Sequence, residues 1–381
     1  MKKEFNRFYK DKRFYIPVIV ILGFEIALQF GIYSPLLKKN SYAANVNRIT
    51  NHVLKKQSEH DPDILIVGTS VAYQGLSVRI LNEKIRNSGL KIQSVAIPGS
   101  ELIVQHQALS KILPEMKNVR LVVYVGEIAI PWVSQTDLSL PTLAMISEFN
   151  RIEALKKTYA YEYKVRAEDV FYILSRSIAY RRDMREFILD PNRRIKHLKK
   201  MLKEPNPHPW DYENHFTEKI SSYKIKTLEE CKNKTAPSNR EPIPADSNEE
   251  HKIALVKTCS LAGITSSESV ETEKTKLYFR RLSGLFSEFQ KRNIKVITVF
   301  APYSEAIGNL GGKDRVGLWT KELEKIQGKE NTMVVDMQNI LSGENNGDYC
   351  YDLVHLNALG MQKFSESLGD YLNKNLRAFV Q

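Results

Sequence analysis

Residues 62–70 read PDILIVGTS, a short apolar run that ends in a glycine and two hydroxyl residues. An apolar run of this length, bounded by Pro and Gly, is typical of a buried β-strand, and GTS at its end indicates a tight turn into a helix. Four more runs of the same kind follow along the chain. The predicted strands are 64–69, 92–97, 120–126, 295–300 and 332–336.

Helical stretches alternate with these strands, which favours a parallel sheet covered by helices on both faces. The predicted fold is α/β, a doubly wound five-stranded parallel sheet, with its two halves at 61–135 and 275–381. Between them, 136–274 is charged, helical and loop-rich, so we predict an inserted lid. In such a sheet the functional site lies at the carboxyl ends of the strands.

The overall composition is that of a globular protein, with 42% hydrophobic and 26% charged residues among 381. The formal net charge of +12 favours an anionic partner such as nucleic acid, anionic lipid or an anionic polymer. The sequence holds no recognised nucleic-acid-binding motif, and its basic residues do not interleave with aromatic ones. We therefore predict that it binds no nucleic acid.

The N-terminus has the pattern of a membrane anchor. A basic tail, 1–13, precedes an apolar run, 14–37, and a polar stalk, 38–60, leads to the first strand. A helix needs about 20 apolar residues to cross a bilayer, and basic residues in front of it favour a cytoplasmic N-terminus. We expect an uncleaved single-pass anchor in the cytoplasmic (inner) membrane, with the C-terminal domain outside the cytoplasm.

Two polar residues, Glu25 and Gln29, interrupt the apolar run. They are four residues apart and share one face of a helix, and a carboxylate within lipid costs a few kcal/mol or more. One interpretation is a contact with a partner membrane protein. The other is that Glu25 is protonated or simply tolerated, and the sequence leaves both open.

The three cysteines, Cys231, Cys259 and Cys350, form no CxxC pair and have no histidine cluster beside them, which argues against a zinc site. Cys231 and Cys259 flank one polar segment. They pair if the compartment is oxidising and are otherwise two thiols. We expect Cys350 to be a small buried residue.

Two short motifs carry side chains for nucleophilic catalysis. Ser70 ends the first predicted strand, where the amides of the following helix N-terminus can stabilise negative charge. Residues 352–357 read DLVHLN and lie between the fifth strand and the last helix. A serine needs a base and the base needs an orienting carboxylate, so Ser70, His355 and Asp352 form a candidate triad. The structural alternative is that Asp352 caps a helix and His355 is a surface residue.

The order of these motifs resembles the SGNH (GDSL-like) hydrolase superfamily over 61–135 and 275–381. In that family the first block supplies the serine, the second supplies a glycine whose amide binds the oxyanion, and a final DxxH supplies the acid and base. The resemblance implies a flavodoxin-like sheet and assigns the blocks to Ser70, Gly99, Asp352 and His355. We expect the amides of Val71 and Gly99 to receive the oxyanion.

The third block departs from the family, in which it is usually GxN with an asparagine that donates to the oxyanion. The third strand here ends in Gly126, Glu127 and Ile128, so an isoleucine stands at the asparagine position. Loss of one oxyanion donor typically costs about 10²–10³ in rate. Glu127 cannot replace the donor when ionised, and we expect it to point away or to pair with a basic residue.

An N-terminal membrane helix followed by an SGNH domain is similar to envelope acyl-transfer proteins. These include proteins of the DltD type, the alginate acetylation proteins, and SGNH-like spirochaetal proteins of unknown function. The resemblance implies an envelope polysaccharide or lipid as substrate and a multi-spanning membrane acyltransferase as a partner.

The predicted insertion carries many basic residues, including Arg181 and Arg182, and Trp132 follows the third strand. We name these three as candidate substrate-binding residues, with the basic segment as a lid that holds an anionic polymer or lipid headgroup near Ser70. The alternative is a solvated helix face, as charge runs usually are.

These observations lead to two hypotheses for function. The first is an extracytoplasmic serine esterase or O-acyltransferase that works through an acyl-Ser70 intermediate and needs no metal or organic cofactor. The second is a catalytically lapsed SGNH-like domain that binds an envelope polymer or assembles a membrane complex. The intact Ser, Asp and His favour the first, and Ile128 at the asparagine position favours the second.

Overall fold

A parallel sheet forms the centre of the fold in the computed structural model, which describes residues 12–38, 42–128, 136–203, 212–236, 238–239, 241–267, 272–307, 315–343 and 345–380. The strands in these residues are β1 (Ile64–Val67), β2 (Ile92–Ser94), β3 (Leu121–Gly126), β4 (Lys295–Phe300) and β5 (Met333–Asp336). They pair in the order β2-β1-β3-β4-β5, and every pairing is parallel. The predicted α/β class and five-stranded parallel sheet are therefore confirmed.

The strands agree with the prediction because their apolar runs are buried on both faces. Every residue of β1 and β3 is buried, as expected for parallel strands that lie between two layers of helices. β2 ends at Ser94, three residues before the predicted end, yet Val95 and Ile97 still donate backbone hydrogen bonds to the end of β1. The apolar run therefore continues along β1 although the regular strand has stopped.

The helices surround this sheet. In the first half they are α1 (Lys12–Gln29), α2 (Tyr42–His60), α3 (Ser70–Gly75), α4 (Val78–Ile85) and α5 (Leu102–Ile112). In the insertion they are α6 (Leu140–Ile146), α7 (Arg151–Ala160), α8 (Ala167–Leu174), α9 (Arg176–Ala179), α10 (Arg181–Leu189), α11 (Pro191–Lys203), α12 (Leu228–Thr235) and α13 (Glu249–Ser267). The second half contains α14 (Glu273–Gln290), α15 (Arg315–Gln327), α16 (Asn346–Tyr349) and α17 (Ala358–Val380).

The order of the strands fixes where a site can form. From β1 the chain passes to β2 on one side and then returns to β3 on the other side. The connections after β1 and β3 therefore diverge, and they leave a crevice at the carboxyl ends of these two strands. Ser70 follows β1 and Glu127 follows β3, so both lie at this crevice.

The insertion packs against the helices that cover the sheet and shares their apolar core. Leu143, Ile146 and Ile173 are buried in the same apolar core as the strands. Cys231 of α12 and Cys259 of α13 form a disulfide with their Cα atoms 5.9 Å apart. This pairing decides between the two alternatives that the sequence left open, and Cys350 is a buried free thiol as expected.

The apolar N-terminal run is shorter as a helix than the anchor predicted at 14–37. α1 ends at Gln29 and includes Lys12, Arg13 and Glu25, and a short 3₁₀ turn at Ser34–Leu36 follows it. Across the described ranges we find no helix whose length and apolar character suffice to cross a membrane. The predicted membrane span is thus not supported, because the apolar run is divided between a helix and a turn.

Glu25 has its partners within the same chain. Its carboxylate accepts hydrogen bonds from the Ser175 hydroxyl at 2.8 Å and from the backbone N–H groups of Arg176 and Ser177 at 2.8 and 3.1 Å. Gln29 donates its side-chain amide to the same carboxylate. The polar face that we considered for a partner membrane protein is therefore occupied by the start of α9.

Candidate active site

Ser70 is held at the start of α3 by the turn that precedes it. The Thr69 side chain caps the helix by accepting a long hydrogen bond of 3.4 Å from the Val71 N–H. Gly68 lets β1 and α3 approach closely, because a Cβ atom there would lie 2.8 Å from the Ala72 Cβ and 3.1 Å from the Val125 carbonyl oxygen. The GTS motif therefore presents a half-exposed Ser70 at the carboxyl end of β1.

The DxxH segment is a tight turn organised by Asp352. One carboxylate oxygen accepts the backbone N–H groups of Val354 and His355, both at 2.8 Å. The other oxygen lies 2.8 Å from Nδ1 of His355. Asp352 is buried while the imidazole is partly exposed, so the carboxylate fixes both the turn and the ring.

The two segments meet, although 285 residues separate them. Nε2 of His355 lies 2.8 Å from Oγ of Ser70. Because Asp352 accepts from Nδ1–H, Nε2 is left as the acceptor for the serine hydroxyl. The geometry is that of a nucleophile, a base and a carboxylate that orients the base.

The surroundings of His355 change its protonation. Burial alone disfavours the imidazolium, but the charge and hydrogen bond of Asp352, with a further contribution from Glu127, outweigh it and raise the pKa of His355. An imidazole with a raised pKa is a stronger base, which suits removal of a proton from Ser70.

Gly99 adopts the left-handed conformation, with φ of 68°, in the turn that follows the β2 segment. It lines the same cavity as Ser70, and among the described residues its N–H has no hydrogen-bond acceptor. Among the described residues, the Gly99 amide is therefore a donor without a partner at the cavity that Ser70 lines, and its role at the oxyanion stays a prediction. The Val71 amide is engaged by the Thr69 side chain, although only at 3.4 Å.

The end of β3 differs from our expectation for Glu127. Ile128 is only 3% exposed and packs in the core, whereas Glu127 lines the cavity and accepts a hydrogen bond from the Thr69 hydroxyl. Burial raises the pKa of the Glu127 carboxyl, opposed by the Thr69 hydrogen bond and the charge of His355. Glu127 therefore faces the cavity and supports the turn that carries Ser70, and within the described residues it forms no ion pair with a lysine or arginine.

Ser70 opens into a cavity of about 700 Å³ between the sheet and the insertion. This volume lies in the range of small-molecule sites. The walls combine apolar, phenolic and charged side chains. In addition to Ser70, Gly99 and Glu127 they include the apolar Leu102, Val125 and Leu261, the phenolic Tyr124, Tyr163 and Tyr278, and the charged Glu101, Asp137, Lys274 and Arg281. The cavity therefore joins the candidate nucleophile to a wall that can bind polar groups.

A charged cluster forms one wall of the cavity. Glu101 accepts hydrogen bonds from Tyr163, Ser139 and Thr142 at 2.5–2.6 Å. The buried guanidinium of Arg281 lies over the Tyr163 ring, 3.6 Å from its centroid. Sequence reasoning missed Glu101, Tyr163 and Arg281 because they lie on helices and on a connection without a recognisable motif.

Two of the three predicted substrate-binding residues do not fall at this cavity. Arg181 and Arg182 are exposed at the start of α10, and neither lines the cavity beside Ser70. Trp132 lies outside the described residues. No described residue of the basic segment lines the cavity, and among the described residues the cations that line it are Lys274 and Arg281.

The insertion also supports the DxxH turn from behind. Nε2 of the buried His251 on α13 lies 2.5 Å from the Tyr351 carbonyl oxygen. The backbone N–H of Leu353 donates to the Thr258 hydroxyl at 3.4 Å. α13, which the disulfide ties to α12, therefore holds both neighbours of Asp352.

No protein-family model matches the chain, and no curated protein matches it significantly.

Proposed function

We propose that the protein is an extracytoplasmic serine esterase or O-acyltransferase of the cell envelope. The observation that carries the proposal is the hydrogen-bonded series Ser70–His355–Asp352, with 2.8 Å at each step, whose serine lines a cavity. The resemblance of the GTS, glycine-turn and DxxH blocks to SGNH hydrolases supports the same chemistry.

In the first half-reaction Oγ of Ser70 attacks the carbonyl carbon of an acyl ester while its proton passes to Nε2 of His355. The amide of Gly99, with that of Val71, binds the resulting oxyanion. Collapse of the intermediate breaks the bond to the leaving oxygen, which takes the proton from His355. The acyl group then remains on Ser70 as an ester.

In the second half-reaction His355 removes a proton from water or from a sugar hydroxyl, which attacks the acyl-serine. Collapse of this second intermediate breaks the bond between the acyl carbon and Oγ of Ser70, which takes the proton back from His355. Water thus gives a carboxylic acid, a sugar hydroxyl gives a new ester, and Ser70 is restored in both cases. The cavity wall with Glu101, Arg281 and phenolic side chains favours a hydroxyl-rich acceptor over a long alkyl chain, because it offers both donors and acceptors. An envelope glycopolymer is the acceptor class that fits it.

One feature supports a location outside the cytoplasm, since the Cys231–Cys259 disulfide is typical of an oxidising compartment. The exposed apolar side chains of α1 favour attachment to a membrane surface. The cytoplasmic membrane is what the family resemblance implies. The multi-spanning acyltransferase partner rests on the family resemblance alone.

The triad variants test the proposal. Ser70→Ala and His355→Ala should each reduce hydrolysis of a small activated acyl ester by at least about 10³-fold, and the double variant should be little worse, because members of a triad act as a unit. Variants of Arg181, an exposed residue outside the cavity, should retain activity. If wild type hydrolyses no ester and transfers no acyl group, the binding-scaffold hypothesis replaces this one.

A further inference from the structure

Helices α10 and α11 form a hairpin, residues 181–203, whose outer surface is both basic and apolar. Three of its large apolar side chains face solvent, with exposed fractions of 76% for Ile188, 69% for Leu189 and 79% for Leu202. Its exposed cations are Arg181, Arg182, Arg185, Arg193, Lys196, Lys199, Lys200 and Lys203. Hydration accounts for the solvent exposure of the charged side chains, but it does not account for the exposure of the large apolar side chains beside them.

The exposed apolar residues share faces with the cations. On α10, Arg185 lies one turn before Ile188 and Leu189. On α11, Lys199 lies between Ile195 and Leu202 on one face, while the buried Arg194 and the half-buried Leu198 and Met201 face inward. This arrangement of apolar anchors among basic residues is typical of helices that lie in a membrane interface.

A buried ion pair fixes the hairpin to the segment that follows α1. Arg194 of α11 binds Asp183 of α10 at 2.8 Å, and both side chains are more than 90% buried. Asp183 also accepts the Tyr33 hydroxyl at 2.7 Å and the Lys38 backbone N–H at 2.9 Å. Arg194 donates in addition to the Leu36 carbonyl oxygen at 2.7 Å.

The apolar surface continues from the hairpin to α1. Phe30 and Ile32, which precede the fixed segment 33–38, are 83% and 66% exposed. Before them, α1 exposes a series of large apolar side chains from Tyr15 to Ile26. The hairpin is attached where this apolar stretch ends, so a membrane surface that received α1 would also face the hairpin.

We propose that the hairpin 181–203 binds an anionic bilayer surface, with Ile188, Leu189 and Leu202 at the acyl boundary and the cations at the level of the lipid phosphates. A soluble polyanion would satisfy the cations and leave the apolar side chains in water, so the combination favours lipid. The proposal shares the membrane location of the proposed function and does not depend on the triad.

A fluorophore on the hairpin tests the proposal locally. Leu202→Cys offers one accessible thiol, because Cys231 and Cys259 are paired and Cys350 is buried. An environment-sensitive maleimide dye at this position, in the full-length protein, should shift to shorter wavelength with vesicles of phosphatidylcholine and phosphatidylglycerol. Phosphatidylcholine vesicles alone should give a much weaker change, and Leu359→Cys on α17 is the matched exposed control.

Removal of charge tests the basic side of the surface. Arg185→Gln, Lys196→Gln and Lys199→Gln together should weaken the titration of the Leu202 dye with anionic vesicles by on the order of 10²-fold, because each cation contributes about fivefold near an anionic membrane. The same changes at the exposed Lys117, Lys321 and Lys329 should leave it unaltered. No dye shift with anionic vesicles, or a shift with soluble polyphosphate alone, would overturn the proposal, and Ser70→Ala should leave the shift unchanged.

Discussion

At the scale of single residues, two carboxyl groups act on the imidazole of His355. Asp352 binds Nδ1 directly, and Glu127 acts through its charge from the end of β3. Both favour the imidazolium, and together they exceed the opposing effect of burial. The pH dependence of the reaction should report this balance, because only neutral His355 accepts the serine proton.

We expect kcat/KM of wild type to fall as the pH decreases through a pKa above the ordinary imidazole value of 6.5. In Asp352→Asn the acid limb of the kcat/KM profile should move to lower pH. The plateau value of kcat/KM should fall by up to about 10⁴-fold, since an asparagine amide that faces Nδ1 favours the tautomer with its proton on Nε2, which cannot accept the serine proton. Rate profiles from pH 5 to 9 measure both. A wild-type midpoint below 6.5 would contradict the assignment of His355 as base.

The raised pKa of His355 also contributes to stability. This contribution is fully present below the unfolded pKa of 6.5 and is lost as the pH rises through the folded pKa. In urea titrations at a series of pH values, the free energy of unfolding of wild type should therefore decline as the pH rises, and that of Asp352→Asn should not show this decline. The comparison separates the electrostatic role of the carboxylate from its role in the turn.

Glu127 offers a test of the unusual third block. Glu127→Gln keeps an acceptor for the Thr69 hydroxyl, removes a charge that raises the pKa of His355, and adds an N–H donor at the cavity. We expect a plateau rate equal to wild type or higher, with the acid limb at lower pH. Glu127→Ala should cost about tenfold, because Thr69 loses its acceptor. Equal loss in both variants would show that the carboxylate itself takes part in the reaction.

The triad could be predicted from sequence because each member directly follows a strand or precedes a helix in a short motif. The direction of Glu127 could not, since it depends on how the chain leaves β3. The motif comparison placed Ile128 at the oxyanion, but the structure buries Ile128 and brings Glu127 to the cavity.

At the scale of elements, the disulfide between α12 and α13 supports the DxxH turn. It closes a loop of 28 residues, for which the chain-entropy model gives about 3–4 kcal/mol. α13 in turn holds the Tyr351 carbonyl through His251. Loss of the bridge should therefore affect both the free energy of unfolding and the turn that carries Asp352.

We expect Cys231→Ser with Cys259→Ser to lower the free energy of unfolding by about 3–4 kcal/mol and to slow ester hydrolysis several-fold while the protein remains folded. Denaturant unfolding with and without a reducing agent measures the first effect. The reductant should lower the wild-type midpoint to that of the double variant and leave the variant unchanged. An unchanged wild-type midpoint would contradict a structural role for the bridge.

The strands were predictable as elements because a parallel strand buried on both faces is a continuous apolar run, as in Ile64–Val67 and Leu121–Gly126. At the N-terminus, the apolar composition of a run did not predict the extent of the helix. The run 14–37 has the composition of one long helix, yet the structure divides it at Gln29. The hydrogen bonds between Glu25 and α9 are tertiary contacts that hydropathy does not contain.

At the scale of the whole molecule, the topology of the sheet brings together residues that are distant in the sequence. The connections after β1 and β3 diverge at the switch point, and the chain after β5 returns so that His355 reaches Ser70. Parallel topology predicts this convergence from the order of the elements. The cavity walls were not predictable, because Tyr163 and Arg281 come from the insertion and from α14, where contacts of the folded chain alone bring them together.

The most direct measurement of the central claim is covalent labelling of Ser70. A fluorophosphonate probe reacts with a serine only when a base and an oxyanion site activate it. We predict that intact-mass and peptide mass spectrometry will find one adduct per chain, on Ser70, and that Ser70→Ala and His355→Ala will abolish it. A folded wild-type protein that takes no label, or one labelled at another serine, would contradict the account.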